Sequence, residues 1–323
     1  MIYYYIKIEV RCDMYSNALK LFNEYQTIVI HRHKNPDGDA IGSQVGLAET
    51  LKHNFHDKQI YIVGDDPARF SFMDNCQPDA IPDETYAEAL AVVLDCGASH
   101  LISDERYKTA KATLRFDHHL KCEDICQVDI IDSSYESCCG LLADFLLTNG
   151  LELTPLAAKS LFTGMVTDSG RFRFDSTTSR TYRIASELTK YDFRPTDIYA
   201  NLYAEELDNV KQRAKFTLKI QLTPKNNAYI YTTKQEVSDS GLTTFAVSRG
   251  MVGVMSDIKG VENWVNFTET DDGILCELRS RTYNINPIAV KYGGGGHEKA
   301  SGCTVPDKQT AMQLLADIDE LTK

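Results

Sequence analysis

No stretch of this sequence approaches the ~20 consecutive apolar residues that span a membrane. The opening MIYYYIKIEVRCDM has no basic n-region, long apolar segment or small-residue cleavage site, so it does not read as a signal peptide. The first helical pattern begins after Met14, and residues 1–13 are expected to be an extension outside the fold or the product of an early start codon. Repeated C-x-x-C pairs are absent as well. Cysteine occurs nine times; Cys122 and Cys126 are close and Cys138 and Cys139 adjacent, but neither pair has a second set at zinc-ribbon spacing. Free thiols in a reducing cytoplasm fit better than a disulfide framework. Basic charge is also scarce: 34 lysines and arginines face 46 aspartates and glutamates, a net charge of −12. Coating of long duplex nucleic acid needs the opposite balance, because neutralising phosphates drives it. A small anionic ligand gripped by a few local cations remains compatible.

What is present suits a two-domain globular protein. The 323 residues are 43% hydrophobic, enough for cores that need no disulfide or structural metal. Short β-branched runs at Thr27–Ile30, Gln59–Val63, Ala91–Leu94 and Thr113–Phe116 alternate with helical patterns, among them Ala40–Lys52. That alternation predicts an α/β domain, a parallel sheet with helices on both faces. Helical patterns dominate from Ser137 to Lys219, and Glu205–Ile220 reads as a long connecting helix ended near Thr223-Pro224. A smaller α+β domain follows, with strands at Ala228–Thr232, Trp264–Glu269 and Ile274–Arg279 and helices at Phe245–Met255 and Thr310–Leu321. The expected division is residues 14–206, a helical linker over 207–226, and 227–323.

Polar residues cluster where the early strands end, the edge at which open α/β sheets bind ligands. His33-Lys34-Asn35-Pro36-Asp37-Gly38-Asp39-Ala40 combines a tight Pro-Gly turn with one imidazole and two carboxylates. Alone, this could also be a solvent-exposed turn, though that is the less favoured reading. Asp95 follows a second strand, Asp117-His118-His119 a third, and Asp168-Ser169-Gly170 a helix. Carboxylates gathered at one edge require compensating positive charge, which metal ions supply. Oxygen ligands with imidazole suit Mn²⁺ or Mg²⁺ better than thiolate-preferring metals. His31 reads as a packed or supporting histidine.

In this order, H-x-N-P-D-G-D-A, L-D-C-G, D-H-H and T-D-S-G resemble the four motifs of the DHH phosphoesterase family. Gly293-Gly294-Gly295-Gly296-His297-Glu298-Lys299-Ala300-Ser301-Gly302 resembles the signature of its DHHA1 partner domain. Together they span the chain from about Met14 onward. The resemblance implies two divalent ions, Mn²⁺ in the first place with Mg²⁺ or Co²⁺ as alternatives. It assigns His33, Asp37 and Asp95 to one ion and Asp39, Asp95, His118 and Asp168 to the other, with a water between the ions as nucleophile. It makes Asp117 a residue that orients an imidazole, and His119 a phosphate or leaving-group contact.

The resemblance also points to the phosphate grip. Gly294, Gly295, Gly296 and His297 would bring backbone amides and an imidazole against phosphate, the alternative being a flexible linker. Arg279 and Ser280 would face the substrate, with Arg281 exposed to solvent. Arg171 or Arg173 could touch a second phosphate and Phe172 or Phe174 stack a base, unless this segment is simply a strand alternating surface Arg with core Phe. A stand-alone chain of this type resembles the phosphoesterases that degrade very short RNAs to mononucleotides and dephosphorylate 3′-phosphoadenosine-5′-phosphate (pAp). Domain closure over a chain terminus would limit substrate length. Other readings are a phosphodiesterase for linear or cyclic dinucleotides (pApA, c-di-AMP), an inorganic pyro- or polyphosphatase, and a non-catalytic nucleotide-binding regulator. Expected partners are short single-stranded RNA and nucleotides such as pAp, without long duplex or membrane. The family is compatible with a homodimer, which leaves no mark in the sequence.

Overall fold

Leu90–Leu94 is buried at every position, as a strand covered on both faces must be. It lies at the centre of a parallel five-stranded sheet in the computed structural model, which describes residues 15–322. The expected extension over residues 1–13 lies outside the described residues. The chain divides into two compact units, the first ending at Ala204 and the second beginning at Glu205.

The strands of the first unit are β1 Thr27–His31, β2 Gln59–Val63, β3 Leu90–Leu94, β4 Ala112–Asp117 and β5 Val128–Ile131, in the order β2-β1-β3-β4-β5. Register aligns Ile28 with Ile60 on one side and with Leu90 on the other. One face packs against α-helices: α1 over 15–24, α2 Gly38–Asn54, α3 Cys138–Thr148, α4 Pro155–Asp168 and α5 Ser179–Leu188. Short 3₁₀ turns cover the other face, where Tyr86 and Tyr107 pack near Val29, Val63, Ala91 and Val93. Helix α6, Pro195–Tyr203, closes the unit. The edge strand β5 lacked a recognisable pattern, because VDII is short and only half-buried.

Helices α2 and α4 approach so closely that glycine is required between them. A Cβ on Gly42 would stand 2.5 Å from the Ser160 carbonyl oxygen, and one on Gly164 would stand 2.2 Å from Cys139 Sγ and 2.9 Å from Asp39 Oδ1. Backbone atoms cannot yield that much in a packed interior.

The second unit holds α7 Leu207–Leu218, β6 Gln221–Leu222, β7 Ala228–Thr232, α8 Lys234–Ser240, β8 Asn263–Thr270, β9 Gly273–Ser280, α9 Asn286–Lys291, β10 Gly295–His297, β11 Ala300–Val305 and α10 Lys308–Leu321. Its sheet runs β10-β11-β9-β8-β7-β6, antiparallel except for the β7–β8 pair. Val265, Phe267, Cys276, Leu278 and Cys303 share one core with Leu314 and Ile318 of α10. Trp264 and Ile230 share the other with Val247, Val252 and Phe216.

Two expectations are corrected here. The helix expected over Glu205–Ile220 is present as Leu207–Leu218, with β6 beginning at Gln221. Phe216 is buried in the second unit, so residues 207–226 belong to that unit and do not form a separate linker. The helix expected over Phe245–Met255 is instead a π-helical turn, Ala246–Gly250, followed by a 3₁₀ turn. Buried Asn266 donates to the carbonyls of Val247 and Ser248 at 2.7 Å each, diverting them from the α-helical pattern. Among the described residues no helix is long and apolar enough to cross a membrane, and eight cysteines are free.

Gly164→Ala is expected to lower unfolding free energy by about 1–3 kcal/mol through overpacking. Gly253→Ala, which meets nothing within 4 Å, should stay within about 0.5 kcal/mol of wild type. Urea denaturation of both variants checks this.

Candidate active site

The strand order reverses direction between β1 and β3, and ligands in open α/β sheets bind outside such a switch point. His33 lies just past β1, held by an antiparallel bridge to Ile102. Its Nδ1–H donates to the Lys34 carbonyl at 2.8 Å, which leaves Nε2 as the free ligand atom. Asp37 caps α2 by accepting the amides of Asp39 and Ala40 at 3.0 Å. Asp39 is fully buried and faces the first turn of α3, whose Cys138 and Cys139 amides donate to its two oxygens at 2.7 and 2.9 Å. That helix start is itself capped by Ser137, which accepts from Gly140 N. Asp95 leaves β3 with φ 52, a left-handed conformation that Asp tolerates better than most residues. His118 follows β4, and Asp168 ends α4.

These elements bring the side chains together. His33 Nε2 lies 3.8 Å from Asp37 Oδ1 and 3.6 Å from Asp95 Oδ2. His118 Nε2 lies 3.5 Å from Asp95 Oδ1, 3.8 Å from Asp39 Oδ2 and 3.2 Å from Asp168 Oδ2. Ligand-type atoms of His33, Asp37 and Asp95 all lie within 4.8 Å of one another, and the same holds for Asp39, His118 and Asp168. Asp95 therefore turns one oxygen to each histidine. The exposed-turn reading of N-P-D-G does not fit this convergence.

The electrostatics match a divalent cation site. Burial and repulsion from Asp95 and Asp168 push the Asp39 pKa well above the ordinary carboxylate value, while the α3 amides favour its anion. Burial also raises Asp168, to about 6, despite His118. Burial opposes charge on His33 and His118, yet the surrounding aspartates override it and raise them to about 11 and about 10. Asp95 moves the other way: burial is outweighed by its two histidines, which hold its carboxyl well below the usual range. Asp95 Oδ1 is buried with no hydrogen-bond donor. An orphaned oxygen amid carboxylate and imidazole donors, with no thiolate among them, fits a hard or borderline divalent metal.

The description "DHH family, N-terminal domain" matches residues 27–165, and "DHHA1 domain" matches residues 228–323. The bifunctional oligoribonuclease and PAP phosphatase NrnA of Bacillus subtilis is 33% identical over 313 residues, 96% of this chain and 99% of that one. A probable bifunctional oligoribonuclease and PAP phosphatase of Streptococcus mutans is 34% identical over 310 residues, again 96% and 99%. The chain belongs to the DHH family. Among solved structures, an exopolyphosphatase-related protein from Bacteroides fragilis superposes with a TM-score of 0.81 at 26% identity, covering 95% of this chain and 96% of that one.

In the DHH unit, residues behind the cluster had no readable signal. Arg115 is fully buried on β4, bidentate to Asp129 at 2.8 and 2.9 Å, and reaches within 4.0 Å of Asp117. Asp117 accepts from His119 Nδ1 at 2.8 Å and from its amide at 3.2 Å. That bond raises the His119 pKa, and the ring stays half-exposed. His119 Nδ1 also lies 3.7 Å from Asp95 Oδ1, so the D-H-H run presents one more ligand-type group. Arg32, also fully buried, donates to the carbonyls of Cys76 and Asp65, and the Asp65 carboxylate accepts from Asn35 N at 3.1 Å. Arginines and turn amides of this kind hold the metal loop, and no spacing rule marks them. His31 packs between Tyr86 and Tyr107, and burial lowers its pKa to about 4, so it is neutral.

In the DHHA1 unit, consecutive strand residues face opposite ways. Arg279 shares a face with Glu277, to which it donates at 3.2 Å, and Arg249 of the π turn donates to the other Glu277 oxygen at 3.0 Å. Ser280 is buried, and its Oγ accepts from Tyr283 N at 2.8 Å. Ser280 thus holds the turn after β9, next to Arg279. Arg281 is exposed and donates to the Ser256 carbonyl. The glycine run is not a linker, since β10 pairs with β11. Packing demands glycine at Gly294, where a Cβ would stand 2.1 Å from the Gly302 carbonyl, and at Gly296, with φ 133. Gly295 meets nothing within 4 Å. Packing gives it no reason to be glycine, and its bare backbone beside exposed His297 leaves room for a ligand. Arg171 to Phe174 form a turn, so the strand alternation is excluded; Arg173 is exposed there.

Metal binding is expected to release protons, because His33 and His118 hold theirs at neutral pH in the metal-free site. Calorimetric titration with Mn²⁺ at pH 7 in two buffers of different ionisation enthalpy should give different heats, and affinity should fall as pH drops through about 6, where Asp168 gains a proton. The raised histidine pKa values stabilise the metal-free fold below about pH 6.5, and this contribution is lost as pH rises through about 10 to 11. The depressed Asp95 value stabilises above about pH 4, and that contribution is lost on acidification.

Proposed function

We propose that this protein is a metal-dependent phosphoesterase that degrades very short RNAs to mononucleotides and converts pAp to AMP and phosphate, acting in the cytoplasm. The observation that carries the reading is the pair of ligand groups joined at Asp95, one oxygen toward His33 and one toward His118. The relatives' oligoribonuclease and PAP phosphatase activities support it.

His33, Asp37 and Asp95 would hold one ion, and Asp39, Asp95, His118 and Asp168 the other. Two such ions, Mn²⁺ in the first place with Mg²⁺ or Co²⁺ as alternatives, would supply Lewis-acid charge at the phosphoryl oxygens and would lower the pKa of a bound water. The chain's own residues do the rest. Asp95 keeps the two groups adjacent. Asp117 fixes the His119 ring and favours its charged form, so His119 can bind a phosphate oxygen or protonate the leaving oxygen. Arg279, Ser280, His297 and the amides of Gly294, Gly295 and Gly296 would bind the terminal nucleotide's phosphate, Arg279 being suited to bidentate contact. Arg173 is a candidate for a further phosphate. Few cations are used in all, which agrees with a net charge of −12 and a short substrate.

The test is Mn²⁺-dependent turnover of pAp, pApA, a pentaribonucleotide, a long single-stranded RNA and pyrophosphate. Short RNAs and pAp should be preferred, and preference for pyrophosphate or the long RNA would reassign the function within the family. The Asp95→Ala, Asp168→Ala double variant should lose at least about a hundredfold in kcat, since removing even an outer partner of a ligand costs 10- to 100-fold. Full activity of that variant would defeat the mechanism.

A further inference from the structure

Among the described residues, the segment after Asp168 is unlike any other. Gly170, Arg171 and Phe172 have φ of 57, 66 and 61, three successive residues in the left-handed region. Side-chain-bearing residues visit that region singly, and strain of this kind persists only where surrounding structure enforces it. Here the enforcing bonds are Arg171 N to the Val166 carbonyl at 2.8 Å, Phe172 N to Ser169 Oγ at 2.9 Å, and Arg173 N and Phe174 N to the Ser169 carbonyl. The result lays the Phe174 ring directly on Gly170, where a Cβ would stand 2.4 Å from Phe174 Cζ. Gly170 is two residues from Asp168, a Cα separation of at most ~7 Å. The ring tip therefore lies within roughly 11 Å of the Asp168 Cα, about the reach of one nucleotide.

Phe174 is nevertheless 59% exposed. Its neighbours on the turn are aromatic too. Phe172 packs on Tyr182, which is 57% exposed, with ring centroids 5.9 Å apart, and the Arg171 guanidinium lies 3.9 Å from the Tyr203 ring centre. Between Gly170 and Arg183 the sequence GRFRFDSTTSRTYR holds four arginines and one aspartate, a local charge of +3 within a chain of −12. Exposed aromatics interleaved with arginine are what single-stranded nucleic acid stacks on. A face for another protein would not need the basic excess.

We propose that Phe174 is the stacking platform for the second nucleobase of the substrate, the one that pApA has and pAp lacks. The inference rests on the short-RNA reading above. It deepens that reading: the strained turn makes the enzyme prefer a nucleotide on the far side of the scissile phosphate, of any base, because every base offers a π-face.

The experiment compares kcat/KM for pApA and pAp on the full chain with Mn²⁺. Phe174→Ala should lower the pApA-to-pAp ratio by about tenfold, the worth of one stacked base, and Phe174→Trp should restore it. A dinucleotide whose second position is abasic should be cleaved at similar rates by wild type and Phe174→Ala. Thermal melting confirms that each variant is folded, and Tyr182→Ala serves as a second probe of the same patch. An unchanged ratio in a folded Phe174→Ala variant overturns the proposal, as does an equal loss on both substrates. If the ratio holds but sedimentation shows a change in self-association, the patch belongs to a second copy of the chain and the proposal is also overturned. A wild-type protein that turns over neither substrate removes the phosphoesterase reading itself.

Discussion

The Asp39 carboxylate is buried against the first turn of α3, where the amides of Cys138 and Cys139 donate to it. Helix N-termini stabilise anions in this way. Much of the first unit follows from that placement. For Asp39 to reach those amides, α2, α3 and α4 must converge, and Gly42 and Gly164 permit the approach. The same convergence brings Asp168, at the end of α4, to His118. A fold that buries this many carboxylates together is under electrostatic pressure until cations arrive.

Asp95 distributes that pressure. It sits at the strand-order switch point in a left-handed conformation and faces His33 from β1 with one oxygen and His118 from β4 with the other. A single side chain thus joins groups carried by separate strands. Behind it, the buried arginines Arg32 and Arg115 fix the loops that carry His33 and Asp117.

The metal motifs were legible because each follows a recognisable strand or helix end, and the strand runs were found within a residue or two at Thr27–His31, Gln59–Val63 and Leu90–Leu94. Less was legible where packing or hydrogen bonding overrode local pattern. Asn266 turned an expected α-helix into a π turn, and Phe216 drew the expected linker into a core. Ser280 had no sign in the sequence of its part in the turn after β9, where its Oγ accepts from Tyr283 N. The R-F-R-F segment had a strand's period, yet its backbone is a left-handed turn set by Ser169.

The sequence by itself determined the carboxylate and imidazole residues of the cluster, their order along the chain, the parallel-sheet class and the DHH resemblance, because residue chemistry and short-range periodicity are local properties. Only the tertiary structure decided which carboxylate oxygen faces which histidine, why Gly42 and Gly164 must be glycine, why Gly295 need not be, and that Phe174 lies exposed against Gly170. Those depend on distances between elements far apart in the chain, which no local pattern encodes.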